Sequence, residues 1–293
     1  MNGYQFTEDD YRLSEFQLLR RHPKIKTKSQ WRDELLRDAL NRGKPRIFGE
    51  GDSWFDFPFP IFDPGSSDVL DVLLSRFNYA VRRTSRRGDT LANMCTEENI
   101  RNTVDLCRSH NAIIFLFSGG GNDLFSGEPQ LDSQFFLLLN QKTSNNPPIK
   151  NQELSDFLKY LGALIIRMVD GVSALGIKTV MAGYGYAIPS GKAAFRIPGL
   201  SVGPWLKPAL EARGYIEFNE QREIVNSFVD YFNDLLQEIQ KMREDSFIHL
   251  DLRKIIIDEF WRDELHLDPD GFELVGAKFN EAIQSIRSQE KMK

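Results

Sequence analysis

Histidine and cysteine are scarce in this chain, with four and two among 293 residues. So few cysteines exclude a disulfide-stapled scaffold. The two present, Cys95 and Cys107, fall within one expected helix, where their separation corresponds to about 18 Å along the axis, too far to pair. A reducing, cytoplasmic setting is the expectation. No stretch is long and apolar enough to cross a bilayer. Residues 1–10 are polar and acidic, without the basic start and apolar core of a signal peptide. Basic charge is also in short supply: a net charge of -5 argues against nucleic acid as the main partner, because binding a phosphate backbone needs a concentrated basic surface. The densest basic run, Arg82, Arg83, Arg86 and Arg87, reads as a solvated face.

What is abundant is apolar and aromatic. Hydrophobic residues make up 41% of the chain and 22 are phenylalanine, enough for a substantial aromatic core. Residues 1–43 are charged and helix-prone, with Trp31, Leu35, Leu36 and Leu40 on one stripe, and read as a helical extension packed on a single elaborated domain, 44–293. Within that domain, strands are expected at 46–49, 79–83, 112–117, 178–182 and 247–250. Helices are expected at 68–77, 90–108, 153–175, 220–243 and 271–287. Such alternation predicts a parallel five-stranded sheet covered by helices on both faces, a three-layer α/β/α sandwich. The expected arrangement is flavodoxin-like, with strand order 2-1-3-4-5, which would place Gly88 and Asn122 on either side of Ser53. Two stretches rich in Gly, Pro, Asn and Ser, at 125–150 and 184–219, are too long for simple connectors and read as insertions. Phe195, Trp205 and Leu206 in the second are candidates for a lid.

The polar candidates follow the strands consistently. Ser53 comes after the first, Gly88 after the second, Asn122 after the third and His266 after the fifth, all beyond carboxyl ends, where open parallel sheets bind ligands. Gly51, Asp52 and Ser53 form one motif, and Asp263 to His266 read Asp-Glu-Leu-His. A serine hydroxyl is a poor nucleophile unless an imidazole takes its proton and a carboxylate fixes the imidazole's tautomer. The two motifs contain all three groups. Other readings of nearby residues are less specific. Gly119 to Gly121 lack the Gly-Lys-Ser/Thr of a phosphate loop. Asp268, Asp270 and Gly271 belong to an Asp-Pro-Asp-Gly turn rather than a calcium loop. Asp123 braces its loop, His249 is structural, and His22 and His110 lie in polar surroundings.

Taken in order, Gly-Asp-Ser, the loop glycine Gly88, Gly-Gly-Asn-Asp at Gly120 to Asp123, and the Asp-x-x-His pair resemble the four blocks of the SGNH, or GDSL-type, hydrolases. The resemblance covers about residues 46–280, outside the two insertions. It implies Ser53 as nucleophile, His266 as general base and then acid, and Asp263 as its orienting partner. It also implies an oxyanion hole from the backbone N–H groups of Ser53 and Gly88 and the side-chain amide of Asn122. Trp54 departs from the leucine of the family's popular name, and Phe55 stands where an α/β-hydrolase elbow requires glycine. The aromatic run from Trp54 to Phe62 offers a substrate pocket, with Trp54, Phe55 and Phe57 nearest the serine, or else core.

The expected activity is that of a serine esterase or acylhydrolase working through an acyl-serine intermediate on a small-molecule or lipid ester such as a lysophospholipid. No metal or organic cofactor is needed for it. Carbohydrate O-acetylesterase and thioesterase chemistry are the alternatives within the class. A non-catalytic ligand-binding protein on the same scaffold is the alternative outside it.

Overall fold

The computed structural model describes residues 21, 28–57, 68–197 and 200–292. In chain order the elements are α1 (Lys28–Asn41), β1 (Arg46–Glu50), α2 (Val69–Ser75), β2 (Ala80–Arg83), α3 (Leu91–Met94), α4 (Glu97–His110), β3 (Ile114–Phe117), α5 (Gly121–Phe125) and α6 (Gln134–Leu138). They continue with α7 (Asn151–Ser173), β4 (Lys178–Ala182), β5 (Phe195–Ile197), β6 (Leu200–Val202), α8 (Lys207–Ala212), α9 (Phe218–Met242), β7 (Phe247–Leu250) and α10 (Pro269–Met292).

Five strands form one all-parallel sheet in the order β2-β1-β3-β4-β7, which is the expected 2-1-3-4-5 arrangement with β7 as the fifth strand. Strand side chains alternate between faces, so each strand feeds two cores. Ile47, Val81, Ile114, Leu116 and Val180 pack towards α1, α2 and α10. Phe48, Phe115, Phe117, Met181 and Phe247 pack towards α4, α7 and α9. The central strands are therefore apolar on both faces, as burial between two helix layers requires. On the second face Phe115 stacks against both Phe48 and Phe117, at centroid distances of 6.3 and 5.7 Å.

Several local expectations change. The single helix expected over 90–108 is two, because Thr90 and Thr96 each accept a hydrogen bond from the backbone N–H three residues on, and so each caps its own helix. Cys95 therefore ends α3 while Cys107 lies in α4; both are buried and free. The turn expected at Asp-Pro-Asp-Gly is the start of α10. Asp268 accepts from the Gly271 N–H, and Pro269 occupies the first helical position, where its missing N–H costs nothing. His110 is buried, not in polar surroundings, and Nε2 lies 3.0 Å from the Ala80 carbonyl. Arg83 leaves the basic run and turns inward to Asp68 and Asp71, whereas Arg82, Arg86 and Arg87 are exposed.

In the expected N-terminal extension, α1 buries Trp31, Leu35 and Ala39. Residues 1–20 and 22–27, including His22, lie outside the described residues, as do Pro58 to Phe62 of the aromatic run. Both insertions carry secondary structure: α6 with a bridge between Leu139 and Ile149 in the first, and the antiparallel β5-β6 pair with α8 in the second. They also pack on each other, where the Arg213 guanidinium lies 3.8 Å from the Phe136 ring centroid and donates to the Phe136 carbonyl. Among the described residues no helix is long and apolar enough to cross a membrane.

Candidate active site

Ser53 sits in the turn after β1. The turn closes through the Phe55 and Asp56 N–H groups, both donating to the Asp52 carbonyl at 3.0 Å. Gly51 allows it to lie flat on the end of β3, since a Cβ there would meet Ser118 Cβ at 2.8 Å. The Asp52 side chain is buried and receives three hydrogen bonds: from the Trp54 N–H at 3.0 Å, the Ser118 hydroxyl at 2.7 Å and the Tyr184 hydroxyl at 3.1 Å. Burial pushes its carboxyl up from the ordinary value and those three donors pull it back. Asp52 thus ties the ends of β1, β3 and β4 together beneath the serine.

On the far side of the sheet, the loop after β7 returns His266 to the same place. The Asp263 carboxylate accepts from the backbone N–H groups of Leu265 and His266 at 2.8 and 2.9 Å, a tight Asx-type turn that a sequence of four residues can form on its own. The same turn brings His266 Nδ1 to 3.0 Å from both Asp263 oxygens. Its other ring nitrogen, Nε2, lies 2.9 Å from Ser53 Oγ. A carboxylate can only accept, so Nδ1 carries the proton and Nε2 is the acceptor for the serine hydroxyl. Asp263 and His266 are 1% and 7% exposed, dry enough to strengthen these contacts and open enough to reach.

Asn122 lies in the first turn of α5 and borders the cavity beside Ser53; its Nδ2 donates to the Asp89 carbonyl at 2.9 Å, which leaves one further N–H on that amide. Gly88 belongs to the turn closed by the Asp89 N–H on the Arg86 carbonyl, with φ +76, a conformation that favours glycine. That turn is tied to the serine loop by the Arg86 N–H on the Gly51 carbonyl at 2.8 Å. Gly88 itself does not border the cavity. Asp123 accepts from the Leu91 and Ala92 N–H groups at the start of α3 and so braces the loop.

The cavity holds about 100 Å³ and runs from Asp52, Ser53 and His266 between α5, α7 and α9. Its walls are almost wholly apolar, including Leu124, Leu158, Leu161, Phe228 and Phe232. Both insertions contribute, through Phe135 from the first and Trp205 and Leu206 from the second, whereas Phe195 does not border it. Of the three aromatic residues expected to line a pocket, Trp54 does so. Phe55 and Phe57 are corrected to core: Phe55 packs edge-on to Phe279 at 5.7 Å, and Phe57 edge-on to His266 at 5.3 Å and against Phe272 at 5.5 Å. Both rings pack on residues of α10, whereas Trp54 packs edge-on to Tyr184 and Trp261, which also line the cavity.

No family model matches the sequence, and no curated protein matches it. Solved structures similar in fold include a GDSL-like lipase from Bacteroides thetaiotaomicron, with 12% identity, 87% of this chain and 98% of that chain covered, and a TM-score of 0.47. A psychrotrophic esterase from a Pseudoalteromonas species has 12% identity, coverage of 84% and 100%, and a TM-score of 0.45. An extracellular lipase from Streptomyces rimosus has 13% identity, coverage of 72% and 81%, and a TM-score of 0.42.

Three sets of supporting residues had no signal in the sequence. Behind the serine loop lies a buried ionic cluster: Asp68 and Asp71 at the start of α2 meet Lys28 and Arg32 from α1 and Arg83 from β2. Arg83 and Ser85 also donate to the Phe55 carbonyl, and Asp68 accepts from the Phe57 N–H, so the cluster grips the loop directly. Burial pushes the Asp71 carboxyl up, but the charges of Arg32, Lys28 and Arg83 outweigh it and hold the group well below the usual carboxylate range. Behind the histidine loop, Glu264 is fully buried against the second insertion. The third addition is Tyr184, whose hydroxyl donates to Asp52 and accepts from the Gly121 N–H.

Proposed function

We propose that this protein is a serine ester hydrolase of the SGNH, or GDSL-type, kind that cleaves a carboxylic ester bearing an apolar acyl chain. The observation that carries the reading is the unbroken hydrogen-bonded sequence Ser53, His266, Asp263 at the mouth of an apolar chamber. His266 Nε2 takes the Ser53 proton as Oγ attacks the ester carbonyl. The resulting imidazolium is stabilised and held in plane by Asp263. Negative charge on the tetrahedral oxygen falls to the Ser53 N–H and the Asn122 amide, which both border the cavity, each well-placed donor being worth about 10²–10³ in turnover, while Gly88 shapes the turn tied to the serine loop. Collapse breaks the carbon–oxygen bond to the alcohol, which leaves with the proton from His266. Water, deprotonated by the same imidazole, then frees the acid and restores Ser53.

The chamber supports an acyl chain rather than an acetate as the natural acid part, because Phe and Leu walls gain from each buried methylene about 0.8 kcal/mol. A lipid or lysophospholipid meets that requirement. The test is hydrolysis of p-nitrophenyl esters from acetyl to long acyl chains by the wild type and by Ser53→Ala. The wild type is expected to prefer an acyl chain of intermediate or greater length, and Ser53→Ala to lose about 10⁴–10⁶-fold in kcat. Turnover that survives the substitution would discard the serine mechanism. A flat chain-length profile would discard the acyl chamber.

A further inference from the structure

Glu264 stands between Asp263 and His266 in sequence, yet the reaction above gives it no task. Its carboxylate points away from the serine into the second insertion, where it accepts from the backbone N–H groups of Gly191 at 2.9 Å, Trp205 at 2.5 Å, Leu206 at 2.7 Å and Lys207 at 3.1 Å. Four donors saturate the lone pairs of a carboxylate. Burial pushes this carboxyl up from its ordinary value while the four N–H bonds pull it back, the balance needed to keep an acceptor-only group inside a protein. All four donors belong to segments 57 to 73 positions away, so a single side chain joins the histidine loop to the insertion.

The joined segment carries Trp205. Its indole lies edge-on to His266, with centroids 5.7 Å apart and planes at 69°. The same residue borders two spaces: the apolar chamber next to Ser53, and an outer cavity of about 640 Å³ between the two insertions, lined by Glu128, Leu131 and Pro204 among others. Trp205 therefore stands at the border of both spaces.

We propose that Glu264 is a positioning residue whose carboxylate locks Trp205 against His266, so that the indole closes the chamber towards the outer cavity and keeps water from reaching the Ser53–His266 pair by that route. The inference rests on the ester-hydrolase reading for its catalytic consequence and on geometry alone for the lock. Excluding water strengthens the hydrogen bonds around His266 and holds the imidazole in its working orientation. Glutamine cannot replace Glu264, because it has one acceptor oxygen and would turn N–H donors on N–H donors. Aspartate keeps the charge but falls one methylene short.

The test has two readouts on Glu264→Ala, Glu264→Asp, Trp205→Ala and Glu264→Ala/Trp205→Ala. The first is acrylamide quenching of Trp205, taken as the difference between each protein and its Trp205→Phe counterpart. Quenching is expected to rise in Glu264→Ala and to lie between the two extremes in Glu264→Asp. The second is kcat/KM per active site titrated with a phosphonate. It is expected to fall about tenfold in each single alanine variant and no further in the double variant, as for residues acting as a unit. Unchanged quenching in Glu264→Ala, or losses that add in the double variant, would overturn the proposal. If Glu264→Ala fails to fold, Glu264→Asp with the Trp205 variants decides by the same comparison. A wild type without esterase activity would defeat the reaction, while the quenching result would still settle the lock.

Discussion

The serine and histidine loops are both anchored by buried carboxylates, but by different means. Asp68 and Asp71 hold the serine loop from within a cluster of cations supplied by α1 and β2. Glu264 ties the histidine loop to the second insertion through backbone N–H groups. An ionic anchor gathers elements that are far apart in sequence and depends on every charge being present. A backbone cradle needs only one side chain, and its donors cannot be mutated away. The serine side therefore spreads its support over several residues, each of them costly to lose, whereas the histidine side concentrates it in one.

Breaking the ionic anchor should give the largest effect. Asp71→Ala leaves Lys28 and Arg83 with Asp68 as their one carboxylate and Arg32 with Asp68 and the half-buried Asp56, and removing one partner from a buried charge cluster costs about 3–5 kcal/mol. Urea unfolding at pH 7 measures it, and a loss below about 1 kcal/mol would mean that the cluster adds little. The sign of the part that Asp71 itself contributes follows from its depressed pKa. The folded state holds the proton less tightly than the unfolded chain, so the contribution is present above about pH 4 and lost as pH falls through the folded value.

Glu50 sharpens the contrast with the opposite sign. It ends β1 just before the serine motif, accepts from the Gly51 N–H at 2.9 Å and pairs with the Thr84 hydroxyl. Burial pushes its carboxyl up to about 7 against those two hydrogen bonds. The folded state keeps a proton that the unfolded chain releases near pH 4, so stability falls as pH rises from there to about 7. Glu50→Gln cannot ionise. It should raise stability above pH 7 by up to about 3 kcal/mol and make no difference at pH 4, as read from unfolding midpoints across that range. A constant offset at both pH values would show that Glu50 does not titrate there.

The smallest expected effect sets the baseline for charge in the open. Arg243 makes two hydrogen bonds to Asp170, at 2.7 and 3.0 Å, on the surface. Asp170→Ala should leave the urea unfolding midpoint almost unchanged despite that geometry, because solvent screens the pair. A cost near that of Asp71→Ala would remove the distinction between buried and exposed ion pairs on which the comparison stands.

Much of the scaffold was legible in the residues. All five sheet strands follow from short apolar runs alternating with amphipathic stretches, since strand period and helix period are local properties, whereas their order in the sheet is set by long-range packing. The Asp263–His266 contact is local too, a turn closed within four residues. Position after a strand was enough to bring Ser53 and His266 to one edge of the sheet, because parallel strands point their carboxyl ends the same way. Only the tertiary structure decided the rest. Spacing carries no information about which buried donor meets Asp52 from Tyr184, 132 positions away, or which cations close on Asp71. Nor could it tell that Trp54 would face the chamber while Phe55 and Phe57 turn into the core, or that Glu264 would face away from its neighbours. Periodicity encodes which face of an element is apolar, whereas the partner of a buried polar group is chosen by whatever the fold brings within 3 Å of it.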